Sequence, residues 1–127
     1  MKISKKIVAY TVKRTPESKD RPETITGRTY KIKPGDHAYY ITINNMNDRP
    51  YEVFINSKDL QNFQWIMIFT RLVSAVLRKG GEYEFMIDEM KTVVDPAGGG
   101  YWKKGVRIES LIAEIGMVLE QHLTHFR

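Results

Sequence analysis

Four stretches in the first half of the chain alternate apolar and polar side chains. In "KKIVAYTVKR" the apolar set is Val8, Tyr10 and Val12. In "GRTYKIKPG", Tyr30 and Ile32 share a face opposite Thr29, Lys31 and Lys33. In "HAYYITIN", Tyr39, Ile41 and Ile43 oppose Tyr40, Thr42 and Asn44, and in "YEVFIN" Tyr51, Val53 and Ile55 point one way. Period two with β-branched and aromatic residues predicts four strands. "TPESKDRPET", "PGD" and "NMNDRP" read as the connections, rich in proline and turn formers. Connections this short favour antiparallel neighbours, so the strands form a meander.

The second half changes period. "SKDLQNFQWIMIFTRLVSAVLRKGG" is helical, with Ser57 or Asp59 to cap its start, Arg78 and Lys79 at the negative end of the dipole, and Gly80 or Gly81 as the terminating glycine. Leu60, Phe63, Ile66, Met67, Val73 and Leu77 make one apolar face. Trp65, Ile68, Phe69, Leu72 and Val76 widen the arc to most of the circumference. Such a helix is expected to be central and buried on more than one side. "EFMIDEMKTVVD" predicts a shorter helix that turns Met86, Met90 and Val93 or Val94 inward and stops at Pro96. "ESLIAEIGMVLEQHLTHF" predicts the last, with Leu111, Ile112, Ile115, Leu119, Leu123 and Phe126 as its stripe. Gly116 in its middle costs ~1 kcal/mol relative to alanine, which close approach of another backbone would explain. The fold class is α+β: an antiparallel sheet of about four strands, then three helices on one face.

At 127 residues the chain suffices for one domain. Its longest apolar run, Trp65 to Phe69, is too short to span a bilayer, and no apolar stretch of signal-peptide length follows the basic start, so a cytoplasmic protein is expected. Cysteine is absent, which excludes disulfides, thiolate metal sites and thiol or thiyl-radical mechanisms. The net charge of +5 is uneven: residues 1 to 33 hold ten bases against three acids, the remainder ten against twelve. A basic front on a near-neutral body can attract nucleic acid or an acidic partner, or simply keep an edge strand soluble.

The blocks "RPETITGRTYKIK", "YYITIN", "PYEVFINSK", "TRLVSAVLRKGG", "DEMKTVVDPAGGGYW" and "ESLIAEIGMVLEQHL" follow one another in an order and spacing that resemble the TSCPD domain, the C-terminal domain of adenosylcobalamin-dependent (class II) ribonucleotide reductases. The likeness runs over about residues 21 to 123, with 1 to 20 left as a basic strand and loop. It implies the fold of a detached accessory domain, in a bacterial or phage setting. It carries over no catalytic residue and no cofactor: the reductase's nucleotide, cobalamin and radical sites lie in a barrel this chain lacks, and its redox pair needs cysteines.

Candidate sites are few. "DPAGGGYWKKGVRIES" sets glycines at 98, 99, 100 and 105, which is neither a Walker loop nor a dinucleotide fingerprint. It reads as a structural turn: Asp95 and Pro96 end a helix, glycines allow positive φ, and Trp102 plugs the core. The lysine pair is left over. Arg28, Lys31, Lys33, Tyr101, Lys103, Lys104 and Arg107 form the candidate anion or nucleic-acid set. Tyr30, Tyr39, Tyr40, Tyr51 and Phe54 on strands could stack bases, although core is the plainer role for most of them. His122 and His125 stand three apart on a helix, a spacing that suits metal, but without a third ligand they read as a polar helix end. No enzyme motif emerges. The expected function is non-catalytic protein–protein contact, with a protein partner or a second copy docking around Trp65, Met67 and Phe69. Nucleic-acid binding through the basic front and the Tyr101–Arg107 loop is the alternative. No membrane role is expected.

Overall fold

The structure, a computed structural model, describes residues 21–125. The strand expected around Val8–Val12, most of the loop after it, Phe126 and the side chain of His125 lie outside the described residues.

Three strands, β1 (Thr26–Ile32), β2 (Tyr39–Met46) and β3 (Arg49–Ser57), form an antiparallel sheet in that order. The register sets Tyr30 against Ile41 and Ile41 against Ile55, so one face gathers Tyr30, Ile32, Tyr39, Ile41, Ile43, Val53 and Ile55. This is the alternation read from the sequence. The β2–β3 connection is a two-residue turn, Asn47 and Asp48, both at positive φ (57° and 63°). That is the mirror-image turn whose twist suits a hairpin, and Asn and Asp accept it readily. Alternation along β2 turns Asn45 toward the helices, and a register shift between Asn44 and Asn45 places it opposite Pro50, which cannot donate to a ladder.

Helix α1 (Phe63–Lys79) lies on β3; α2 (Glu84–Lys91) packs on α3 (Leu111–His125), which also reaches β2. Between α2 and α3 runs a small hairpin, β4 (Tyr101–Lys103) and β5 (Val106–Ile108). The helices cover one face of the sheet, and the core between them holds Ile41, Ile43, Val53, Leu77, Ile87, Ile115 and Leu119. Each such side chain contributes about 1.5–3 kcal/mol by leaving water. At the sheet edge the Ser74 hydroxyl accepts from Val53 N (2.9 Å) and donates to Val53 O (3.1 Å), so α1 satisfies edge backbone that would otherwise be open. Gly116 has the expected cause: a Cβ there would sit 3.0 Å from Met90 Cβ and 3.3 Å from Lys91 N, so α2 and α3 approach more closely than a side chain allows.

Several expectations need correction. α1 is buried on one side only, through Ile66, Thr70, Val73, Ser74 and Leu77. Leu60, Phe63 and Met67, expected inward, are exposed, because the helix meets one strand rather than a second helix layer. Asp59 caps the turn ahead of α1 rather than its first helical residue, accepting from Asn62 N at 3.3 Å. α2 ends at Lys91, four residues before Asp95, where the β-branched run Thr92–Val94 begins, so Val93 and Val94 are exposed and Ile87 is buried with Met90. Trp102 does not plug the core. It is 69% exposed, because alternation along β4 turns Tyr101 inward and Trp102 out. His122 is no polar helix end: it is fully buried between the Tyr30 hydroxyl (2.8 Å from Nδ1) and Asn45 Oδ1 (2.8 Å from Nε2).

Candidate functional site

Two surfaces stand out among the described residues. The first is a cleft of about 850 Å³ between the inner side of β1, the β4–β5 hairpin and α3. Ile32, Ile108 and Val118 floor it, and Arg28, Lys31, Lys103 and Lys104 line its rim. Four of the seven candidate residues, all of them cations and from two distant parts of the sequence, thus meet at one place. The other three do not line it. Lys33 is exposed beyond the end of β1. Arg107 lies on the far face of the hairpin, its guanidinium 5.9 Å from the Trp102 ring centroid and 3.4 Å from Glu109. Tyr101 is half-buried and holds the hairpin in place rather than presenting a ring.

The hairpin is seated by Glu114, a buried carboxylate on α3 that the sequence reading did not single out. The Tyr101 hydroxyl donates to Oε1 and Lys103 Nζ donates to Oε2 at 2.5 Å. Burial, with help from the Glu114 bond, pushes the Tyr101 phenol well above its usual range. Ser110 caps α3 by accepting from Ala113 N (3.0 Å) and donates to Val93 O (2.7 Å), which ties the segment before the hairpin to the helix after it. The turn Lys104–Gly105 has both residues at positive φ (50° and 78°). Such a turn is natural for glycine, while Lys104 occupies it at a cost of about 1–2 kcal/mol. Both acids of the cleft are in ion pairs, Glu114 with Lys103 and Glu120 with Lys91 (2.7 Å). Lys31 and Lys104, which form no ion pair among the described residues, add positive charge to its rim. No group of three or more potential metal ligands gathers among the described residues.

Of the strand aromatics, Tyr39 and Tyr51 are buried and Tyr30 packs edge-on against His122. Tyr40 and Phe54 are exposed on the outer face, with Lys31 Nζ 5.9 Å from the Tyr40 ring. At the other end of that face Glu52, also fully buried, accepts from Arg21 Nε (2.9 Å) and Asn44 Nδ2 (2.7 Å). Burial raises its pKa, and these two donors more than offset that, so it stays below the usual carboxylate range.

The second surface is the outer side of α1. Ile68 and Leu72 are 53% and 60% exposed. Trp65, three residues before Ile68, and Val76, four after Leu72, continue the stripe and are half-buried. Of the expected interface residues, Trp65 and Phe69 lie at the margin of the core, edge to face at 6.2 Å, while Met67 is exposed on the opposite flank of the helix. Ile68 and Leu72, which the sequence reading assigned to a buried arc, project furthest.

A sequence model of one known family, the TSCPD domain, matches residues 9–123. No curated protein and no solved structure matches the chain.

Proposed function

Since this chain belongs to the TSCPD domain family, and so resembles the C-terminal domain of class II ribonucleotide reductases, we propose that it is a non-catalytic accessory domain that works by docking on a partner protein. The lack of cysteine supports the non-catalytic part, because the reductase chemistry of that resemblance runs on thiols. The observation that carries the docking part is the exposure of Ile68 and Leu72 side by side on a helix whose other face already fills the core. A photo-reactive side chain at position 72 should cross-link one discrete partner, while the same group at Asn56 on the outer sheet face should not. A strict monomer that cross-links nothing from position 72 counts against docking.

A second reading, nucleic-acid binding, is favoured by the meeting of Arg28, Lys31, Lys103 and Lys104 at one cleft. It calls for retention on single-stranded DNA or RNA that falls steeply with salt. Lys31→Glu with Lys104→Glu should abolish retention, while Arg107→Glu, on the far face of the hairpin, should leave most of it. Equal loss from both changes would point to diffuse charge rather than to the cleft.

A further inference from the structure

If α1 is the docking face, its charge narrows what can dock there. The helix carries Arg71, Arg78 and Lys79 and no acid anywhere along its 17 residues. Arg71 and Lys79 are exposed beside Ile68 and Leu72, and neither forms an ion pair among the described residues. From this we infer that the occupant is an amphipathic helix of another protein, with an apolar stripe flanked by Asp or Glu. This rests on the docking reading and adds the partner's chemistry to it.

Three observations support a helix of that kind. The stripe at positions 65, 68, 72 and 76 has helical spacing and is about 16 Å long at 1.5 Å per residue, three turns of a partner laid alongside. A helix offers no open backbone ladder, so an added strand would gain no main-chain bonds here. Unpaired cations beside the stripe reward carboxylates on the incoming edge. A second copy fits poorly. A two-fold axis through the middle of the stripe brings Arg71 of each copy together, with no acid on either helix to offset the repulsion. A lipid surface fits poorly too, since Trp65 and Phe69 are half-buried against the core and, within the stripe, Ile68 and Leu72 alone project.

The test uses the full chain with Trp102→Phe, which leaves Trp65 as the single tryptophan and a reporter within the stripe. Three synthetic helical peptides share one leucine stripe and differ only in flanks of Glu, Gln or Lys. The Glu peptide should bind about tenfold more tightly than the Gln peptide at low salt. That gap should close near 0.5 M NaCl, where screening reaches only a few Å. Arg71→Glu with Lys79→Glu, both at exposed positions, should turn the preference toward the Lys peptide. Equal binding of all three peptides overturns the acidic partner and leaves docking standing. Failure of all three, from a chain that also cross-links nothing at position 72, removes docking itself. A dimer split by Leu72→Glu, or uptake onto anionic phosphatidylserine vesicles, overturns the inference in favour of a second copy or a membrane.

Discussion

The hydroxyl of Tyr30 and Nδ1 of His122 are 2.8 Å apart, joining the first strand to the last helix inside the core. Asn45 Oδ1 can only accept, so Nε2 donates to it, and the Tyr30 hydroxyl pairs with Nδ1 on the other side of the ring. Tyr30→Phe removes one hydrogen bond to a fully buried ring, which should destabilise the fold by about 1–3 kcal/mol. Asn45→Ala should act in the same range. Urea midpoints at neutral pH check both; a change within error for each would mean that the ring is not confined as described.

Glu114→Gln keeps an acceptor for Tyr101 and removes the charge opposite Lys103. Stability should fall by about 1–2 kcal/mol, the small end of what a buried pair gives, because Lys103 is itself 44% exposed. The Tyr101 phenol should then titrate lower than in the parent but still above free tyrosine, since burial, its main cause, persists. Ultraviolet titration at the phenolate band reads this directly. An unmoved curve would detach Tyr101 from Glu114.

Asp59 and Tyr39 give the fold opposite pH limbs. Bonds from Asn62 and Tyr39 hold the Asp59 carboxyl below its usual range. A lowered folded pKa stabilises above the unfolded value and loses that contribution as pH falls through the folded one. Asp59→Asn should therefore cost stability at neutral pH and flatten the acid limb. Burial, then the bond to Asp59, pushes Tyr39 up to about 12. A raised pKa stabilises below the unfolded value near 10 and is lost as pH rises through 12. Tyr39→Phe should flatten that alkaline limb. Thermal midpoints across the pH range check both, and unchanged limbs would contradict them.

Gly116→Ala restores helix propensity worth ~1 kcal/mol but places a methyl 3.0 Å from Met90 Cβ. Gly116→Val adds branching that no small shift can absorb. It should destabilise by about 1–3 kcal/mol, with alanine near neutral. A valine variant as stable as the parent would show that α2 can move away from α3 freely.

Alternation was enough to place β1, β2 and β3 and their buried face, because in a meander the period-two pattern and the burial have the same cause. The helical half was less legible. A helix apolar over most of its circumference can be buried twice or left bare on one side, and its own sequence does not distinguish the two. Hence Ile68 and Leu72 read as core. Trp102 read as core by size, and strands three residues long show too little alternation to correct that, although Lys104–Gly105 between "YW" and "VRI" was a usable hairpin signal. The buried acids Glu52 and Glu114 were missed because their partners, Arg21 and Lys103, are neighbours only in space. The cleft escaped for the same reason: Arg28 and Lys104 share it through the packing of β1 and the hairpin around α3.

An α1 without a single carboxylate offers no acidic side chain to take up a proton between neutral pH and mild acid. Its own contribution to any complex is then constant across that range. Acid sensitivity that a complex at this helix displays beyond the fold's own Asp59 limb would then belong to the other molecule, and an affinity-versus-pH curve would titrate carboxylates across the contact.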